Sequence, residues 1–321
     1  MRLALGSAVL VCLLSSTARA EDRWSEPYAG VRYLERVTAN QRVFAVALDL
    51  SHPELELHAT RRADRGRTVS QFAAAYATQI AINGDFFQPD FSTEGLAMGG
   101  GELWAGSADG MKWSFVAAGP GNRVAIPLPE VVGQAESWMS EIVGGYPLVV
   151  DAGRATAAVE CDTSFCGRNP RTAVGLSSDG RTLWLVVVDG RATSAAGMSL
   201  AELAALMIEL GAARALNLDG GGSSALFLEA EGGVVNTPSD GSERRVANHL
   251  GVVVREPPDA GIPDAAPPPP PQLEDHDPTG GCQTAPGAPP VAGVLAWLIL
   301  RTGRRTRRGR CESGSPPPRR W

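Results

Sequence analysis

The chain has 321 residues, 44% of them hydrophobic, which is ample for one sizeable core or two. Its net charge of −6 hides an asymmetry: residues 301–321 carry eight arginines against Glu312, a net of +7, so residues 1–300 sum to −6 − 7 = −13. A body that acidic argues against nucleic acid as a partner, and any anionic substrate has to be met by basic groups placed locally.

The first twenty residues, MRLALGSAVLVCLLSSTARA, set Arg2 before an apolar run from Leu3 to Leu14 and end in Ala18-Arg19-Ala20. That layout predicts a secretory signal peptide cleaved after Ala20, with Cys12 removed alongside it. An exported chain meets an oxidising compartment, so Cys161 and Cys166 of CDTSFC are expected to form a local disulfide. A metal pair is the alternative, but a second pair of ligands at similar spacing is missing.

A globular body runs from about 25 to 255. RVFAVALDL and ELELHATR read as strands joined by a Ser51-His52-Pro53 turn. Thr68-Val69-Ser70-Gln71 has capping-box spacing and opens a short helix through Tyr76. QIAIN is a buried strand ending at Asn83, and TLWLVVVDG is the strongest strand of the chain, ending at Asp189. Ser199 and Glu202 then cap a helix whose Leu200, Leu203, Ala204, Met207 and Leu210 share one face, with Gly211 closing it. ALNLD and SALFLE are strands on either side of a glycine turn. Strand, capped helix and strand suggest a crossover. The fold class is α+β or mixed α/β: a single globular domain built on a twisted mixed sheet with a few flanking helices.

Residues 256–281 are proline-rich and acidic, a linker that cannot bury enough apolar surface to fold. Cys282, the apolar run Val291–Leu300 and the arginines from Arg301 to Arg310 follow, and residues 311–321 form a disordered tail. Cysteine, apolar run and basic cluster in that order resemble the C-terminal sorting tail of myxobacterial surface proteins. The resemblance makes Cys282 the processing or anchoring residue and the membrane a partner. The run is shorter than the roughly twenty residues that span a bilayer, and the arginines would keep that end cytoplasmic.

Four stretches gather polar residues at strand ends. In Asn217-Leu218-Asp219-Gly220-Gly221-Gly222-Ser223-Ser224, consecutive glycine amides can form an anion-binding nest, or simply a loose hairpin turn. The lysine of a nucleotide P-loop is missing, and a strand follows where a helix would be required. Asn83-Gly84-Asp85 ends one strand in an amide and an acid. Asn169-Pro170-Arg171 sets an arginine before another, and Asp189-Gly190-Arg191 ends the strongest strand in an acid and a base.

AINGDFF, GGYPLVVDAGR, NPRTAVGLSSDGRTLWLVVVDGR, NLDGGGSSAL and RRVANHLGVVV, in that order from about Phe44 to Val254, resemble the phosphodiester glycosidase family, that is, N-acetylglucosamine-1-phosphodiester alpha-N-acetylglucosaminidase-like domains. The chain departs from the family pattern at Asp85 and His249, where small residues are usual. The resemblance implies hydrolysis of a sugar–O–phosphate bond on the sugar side, with a sugar-phosphate or glycan as substrate. Such a site requires a carboxylate near the oxocarbenium-like centre and a cradle for the departing phosphate. Asp219 and Asp189 are the first carboxylate candidates, with Asp85 and Glu160 behind them. Arg171 and the amides and hydroxyls of Gly220, Gly221, Gly222, Ser223 and Ser224 suit the cradle, and Asn83, Gly84 and Asn217 lie beside it. His52, His58, His249 and His276 have no metal spacing, so neither metal nor cofactor is required. A glycan- or phosphate-binding surface protein without turnover is the competing expectation.

Overall fold

The run Arg42–Asp49 is apolar at nearly every position because both of its faces are covered. Phe44, Val46 and Leu48 pack with Ile80, Ile82, Leu185 and Leu226, whereas Val43, Ala45 and Ala47 pack with Leu200, Leu203 and Met207. This is the period-two alternation of a strand between two layers. The computed structural model describes residues 21–104, 113–128, 134–161 and 163–255. The chain divides into two units, 1–264 and 265–321, and the second lies outside the described residues. So do the expected signal peptide, the 256–281 linker, Cys282 with its anchor segment, and the 311–321 tail.

The largest sheet has eight strands. Their order is Glu21–Tyr28, Val31–Val37, Arg42–Asp49, Thr182–Val188, Arg171–Leu176, Arg214–Asn217, Leu148–Asp151 and Arg154–Ala155. A second sheet runs Gly233–Val234, Leu226–Leu228, Ile80–Asn83, His249–Val254, Leu55–Ala59, and a third runs Glu102–Leu103, Met98–Gly99, Glu141–Gly145, Ser114–Gly119, Arg123–Ala125. The main apolar core lies between the large sheet and the two smaller ones.

The described part is therefore α+β, rich in sheet. The expectation of a mixed sheet is corrected, because every pair of neighbouring strands is antiparallel. Thr182–Val188 and Arg214–Asn217 do run the same way, as the strand–helix–strand pattern suggests. Arg171–Leu176 lies between them, however, and pairs antiparallel with both.

Two α-helices cover the sheets. α1 (Val69–Tyr76) starts in a full capping box, with the Gln71 N–H donating to Thr68 Oγ1 and the Thr68 N–H to the Gln71 side chain. Its Val69, Phe72 and Ala73 pack on Ala81 and Ala225. α2 (Leu200–Glu209) has the same device in Ser199 and Glu202 and lays Leu200, Leu203, Ala204 and Met207 on the outer face of the large sheet. Gly211 takes φ +96, a left-handed conformation suited to a helix end.

Candidate active site

Two strand ends from different sheets meet at one point. Asn83 closes Ile80–Asn83, and Asp219 follows Arg214–Asn217. Asn83 is fully buried and joins them: its Nδ2 donates to the Asp219 carbonyl at 2.7 Å, while its Oδ1 accepts from Thr172 Oγ1 at 2.7 Å and from the Ala225 N–H at 3.2 Å. The Asp219 N–H donates to the Gly84 carbonyl at 3.0 Å. Gly84 is enclosed, since a Cβ there would collide with Asn248 Oδ1 and lie 2.9 Å from Val143. Asn83 and Gly84 thus set the height and direction of Asp219 and do not themselves form an open surface.

The glycine turn wraps the Asp219 carboxylate. The Gly220 N–H donates to Asp219 Oδ1 at 2.9 Å, Gly221–Ser223 form a single 3-10 turn, and Gly221 takes φ +61. The Gly221 N–H goes to the Pro170 carbonyl, the Ser223 N–H to that of Gly220, and the Ser224 N–H to that of Gly221. Of the five consecutive amides, Gly222 alone has no partner among the described residues. The turn therefore satisfies itself where the sequence suggested a ring of free donors. A Cβ on Gly220 would lie 2.7 Å from the Pro170 carbonyl, Gly221 takes a left-handed φ that favours glycine, and a Cβ on Gly222 would displace the side-chain ends of Asp240 and Arg244.

Asp219 faces a hollow of about 690 Å3 lined also by Phe86, Phe87, Pro89, Glu94, Trp113 and Arg244. Burial raises its carboxyl to about 6, and hydrogen bonds from Ser223 and Gly220 and the charge of Arg244 pull the other way. Arg244 holds Asp240 Oδ2 through Nε at 3.0 Å and reaches Ser223 Oγ through Nη1 at 3.3 Å. Behind the hollow an aromatic group continues its wall. Phe86 meets Trp113 edge-on at 5.3 Å, Trp113 lies 5.4 Å from Tyr146, and Tyr146 stacks at 6.1 Å on Phe165. Tyr146 is 44% exposed.

The other candidates lie around this hollow in different ways. Asp85 is fully buried: its N–H donates to Asn248 Oδ1 at 2.7 Å, its Oδ2 accepts from the Gly95 N–H at 2.8 Å, and its Oδ1 has no partner. Burial, with the nearby charges of Asp219 and Glu94, raises its carboxyl well above the ordinary range. Asp189 is buried beneath the 236–237 segment, accepting from Asn236 Nδ2 at 3.2 Å and the Thr237 N–H at 2.9 Å, and burial raises it too.

Arg171 gives its guanidinium to three carbonyls, those of Met198, Phe165 and Gly167, at 2.9, 2.6 and 2.6 Å. Burial and the charge of Arg191 lower it to about 10. It clamps the loop that carries Phe165, and that loop is closed by the Cys161–Cys166 disulfide. Asn217 donates to the Tyr146 carbonyl at 2.7 Å and so fixes an aromatic of the wall. Ser223 and Ser224 are buried, whereas Glu160 is an exposed loop residue. Asp219, Gly220–Ser223, Asn83, Gly84 and Asp85 thus come together, and Asp189 and Arg171 stand behind them as supports.

Sequence reasoning missed Arg244 and the aromatic wall. Arg244 opens the RRVANHLGVVV stretch that resembles the family, and the structure shows why that stretch matters. The His249–Val254 strand returns antiparallel to Ile80–Asn83, with His249 opposite Asn83, so the segment before His249 must cross the end where Asp85 emerges. The aromatics come from four separate segments and left no local pattern. Among the described residues no group of three or more His, Cys, Asp or Glu is placed to hold a metal ion.

A family model described as phosphodiester glycosidase matches residues 76–253, more than half of the chain. The SPbeta prophage-derived uncharacterized protein YomE of Bacillus subtilis (strain 168) is 38% identical over 106 residues, which is 33% of this chain and 16% of that protein. The chain thus spans only a small part of that relative's length. A hypothetical protein from Synechocystis superposes with a TM-score of 0.54 at 18% identity, covering 73% of this chain and 64% of that one. The catalytic domain of zebrafish N-acetylglucosamine-1-phosphodiester alpha-N-acetylglucosaminidase, auto-inhibited by its pro-peptide, superposes with a TM-score of 0.55 at 18% identity, covering 76% and 85%. At that identity the two structures share the fold with this chain.

Proposed function

The chain belongs to the phosphodiester glycosidase family, and on that premise we propose that it is an exported hydrolase that cleaves the sugar-side bond of a sugar phosphodiester in envelope or extracellular glycans. The observation that carries this reading is that an acid and a guanidinium, Asp219 and Arg244, line the same hollow of about 690 Å3. Phosphate is a good leaving group, so the chief needs are negative charge beside the anomeric carbon and positive charge on the departing oxygen. Asp219, ionised, serves the first: it supports the oxocarbenium-like centre and takes the proton of the water that attacks there, later passing it to solvent. As the sugar–oxygen bond breaks, its electron pair leaves with the phosphomonoester, whose charge Arg244 meets by exchanging Asp240 for the phosphate oxygens. Phe86 and Trp113 offer the sugar an apolar face. Asp85, buried with its carboxyl raised well above the ordinary range, supports the site from beneath.

The signal-like first twenty residues and the Cys161–Cys166 disulfide support export. Cys282 and the arginine-flanked apolar run support C-terminal tethering at the cell surface. The test is release of free sugar from UDP-N-acetylglucosamine or a sugar-phosphate diester by the mature protein, and its loss in a folded Asp219→Asn variant. Glycan binding without release of sugar, or full activity in that variant, would replace this reading with that of a non-catalytic glycan-binding surface protein.

A further inference from the structure

The segment Arg61–Arg67, RRADRGR, sets four arginines against one Asp64 on an otherwise acidic chain. Resting on the reading that Asp219 works on a sugar phosphodiester, we propose that Arg61, Arg62, Arg65 and Arg245 form a track beside the pocket that holds the phosphate-bearing polysaccharide in which that diester is embedded.

Some surface arginines are matched by acids, as in Arg36 with Asp22 and Arg214 with Asp151, and others, such as Arg154 and Arg191, make no ion pair among the described residues. The four of the track are exposed and make no ion pair among the described residues. Arg65 donates to the Arg62 and Asp90 carbonyls at 3.1 and 3.5 Å, and Arg245 to that of Gly66 at 2.5 Å, so backbone orients them without neutralising them. The nearby acids Asp64 and Asp90 feel the charges of Arg61 and Arg65, but their carboxylates accept hydrogen bonds from other groups. Asp64 holds Arg67 and the Tyr76 hydroxyl, Asp90 accepts from the Ser92 N–H and hydroxyl, and Glu243 accepts from the Ser70 N–H and hydroxyl.

Arg65 and Arg245 border a hollow of about 610 Å3 that Asp64, Arg67 and Gln71 also line, and Arg61 and Arg62 precede it in the chain. A smaller hollow continues it past Arg62, Asp90 and Phe91. The link to the catalytic pocket is direct. Arg244 lines that pocket and its neighbour Arg245 lines the basic hollow, with its guanidinium 5.8 Å from the Phe91 ring. Phe91 stacks at 5.7 Å on Phe87, which walls the Asp219 pocket. One loop therefore separates the two hollows and is common to both.

Guanidinium forks spaced along a groove match successive phosphates of a chain, and each weak exposed contact adds to the next once the chain is held. An anionic bilayer fits less well. RRADRGR carries no large apolar side chain to enter the interface.

The test measures binding of phosphomannan, a polysaccharide bearing sugar phosphodiesters, to the full mature chain in an Asp219→Asn background. Mannan freed of phosphate and phosphatidylglycerol vesicles are the controls. The expected result is salt-sensitive binding of phosphomannan over mannan, weakened roughly ten-fold by Arg62→Gln/Arg65→Gln/Arg245→Gln. With Asp219 intact, the triple variant should hydrolyse a small sugar-phosphate diester at the unaltered rate. Arg61→Gln/Arg62→Gln, whose side chains make no hydrogen bond among the described residues, should weaken binding in the same direction and excludes misfolding as the cause. Phosphomannan binding unaffected by both variants, or arginine-dependent binding of the vesicles alone, would overturn the proposal. Arginine-dependent binding by a chain that hydrolyses no diester would instead leave the track standing and remove the glycosidase reading.

Discussion

The carboxyl of Asp219 sits at about 6 in the folded protein against an ordinary 3.8, because burial outweighs the donors around it. The folded state therefore binds this proton more tightly than the unfolded chain does. The stabilisation that proton gives is complete below about pH 4 and lost as the pH rises through 6, so above 6 the ionised group is a net cost. At 1.36 kcal/mol for each tenfold change in proton affinity, the ceiling of that cost is about 3 kcal/mol. The open mouth of the hollow admits water and lowers it. Asp219→Asn keeps an oxygen for the Gly220 N–H and removes the charge, so it should raise unfolding stability by about 1–2 kcal/mol near pH 7.5 and by almost nothing near pH 4. Urea denaturation of both proteins across that range reads this directly. A variant less stable than the parent near pH 7.5, or a gain that persists in acid, would refute the claim that burial holds this acid high.

The same acid sets the pH profile. On the proposed mechanism Asp219 works ionised, so kcat/KM on a sugar-phosphate diester should climb through about pH 6 and level off above it, and a profile falling through 6 would make it a proton donor instead. Arg244→Gln should cut kcat/KM by roughly a hundred-fold. Its melting temperature should barely move, since the pair with Asp240 is on the surface. Asn83→Ala leaves Thr172, the Ala225 N–H and the Asp219 carbonyl without a buried partner and should lower stability by about 2–4 kcal/mol, visible as a lower urea midpoint.

What the sequence made legible was local. Thr68 with Gln71 and Ser199 with Glu202 are reciprocal bonds within four residues, so both helices were readable from spacing alone. The strand ends at Asn83 and Asp189 were readable because apolar runs stop there. Register between distant strands was not: Arg171–Leu176 inserts between two strands that lie beyond it in the chain, and the expected mixed sheet becomes wholly antiparallel. The role of the glycines also changed. Their type allowed open donors or a loose turn equally, whereas the Pro170 carbonyl crowds Gly220, Gly221 takes a left-handed φ, and most of the amides are already bonded. Arg244 lies twenty-five positions beyond Asp219, and only the return of the His249–Val254 strand brings it back.

Asn83 spans the seam between layers: Thr172 belongs to the large sheet, Ala225 leads into a smaller one, and both converge on one amide with the main chain of Asp219. Neither layer alone can seat the acid. A nascent chain with one half folded thus lacks the candidate site, which is completed only when the halves close on each other.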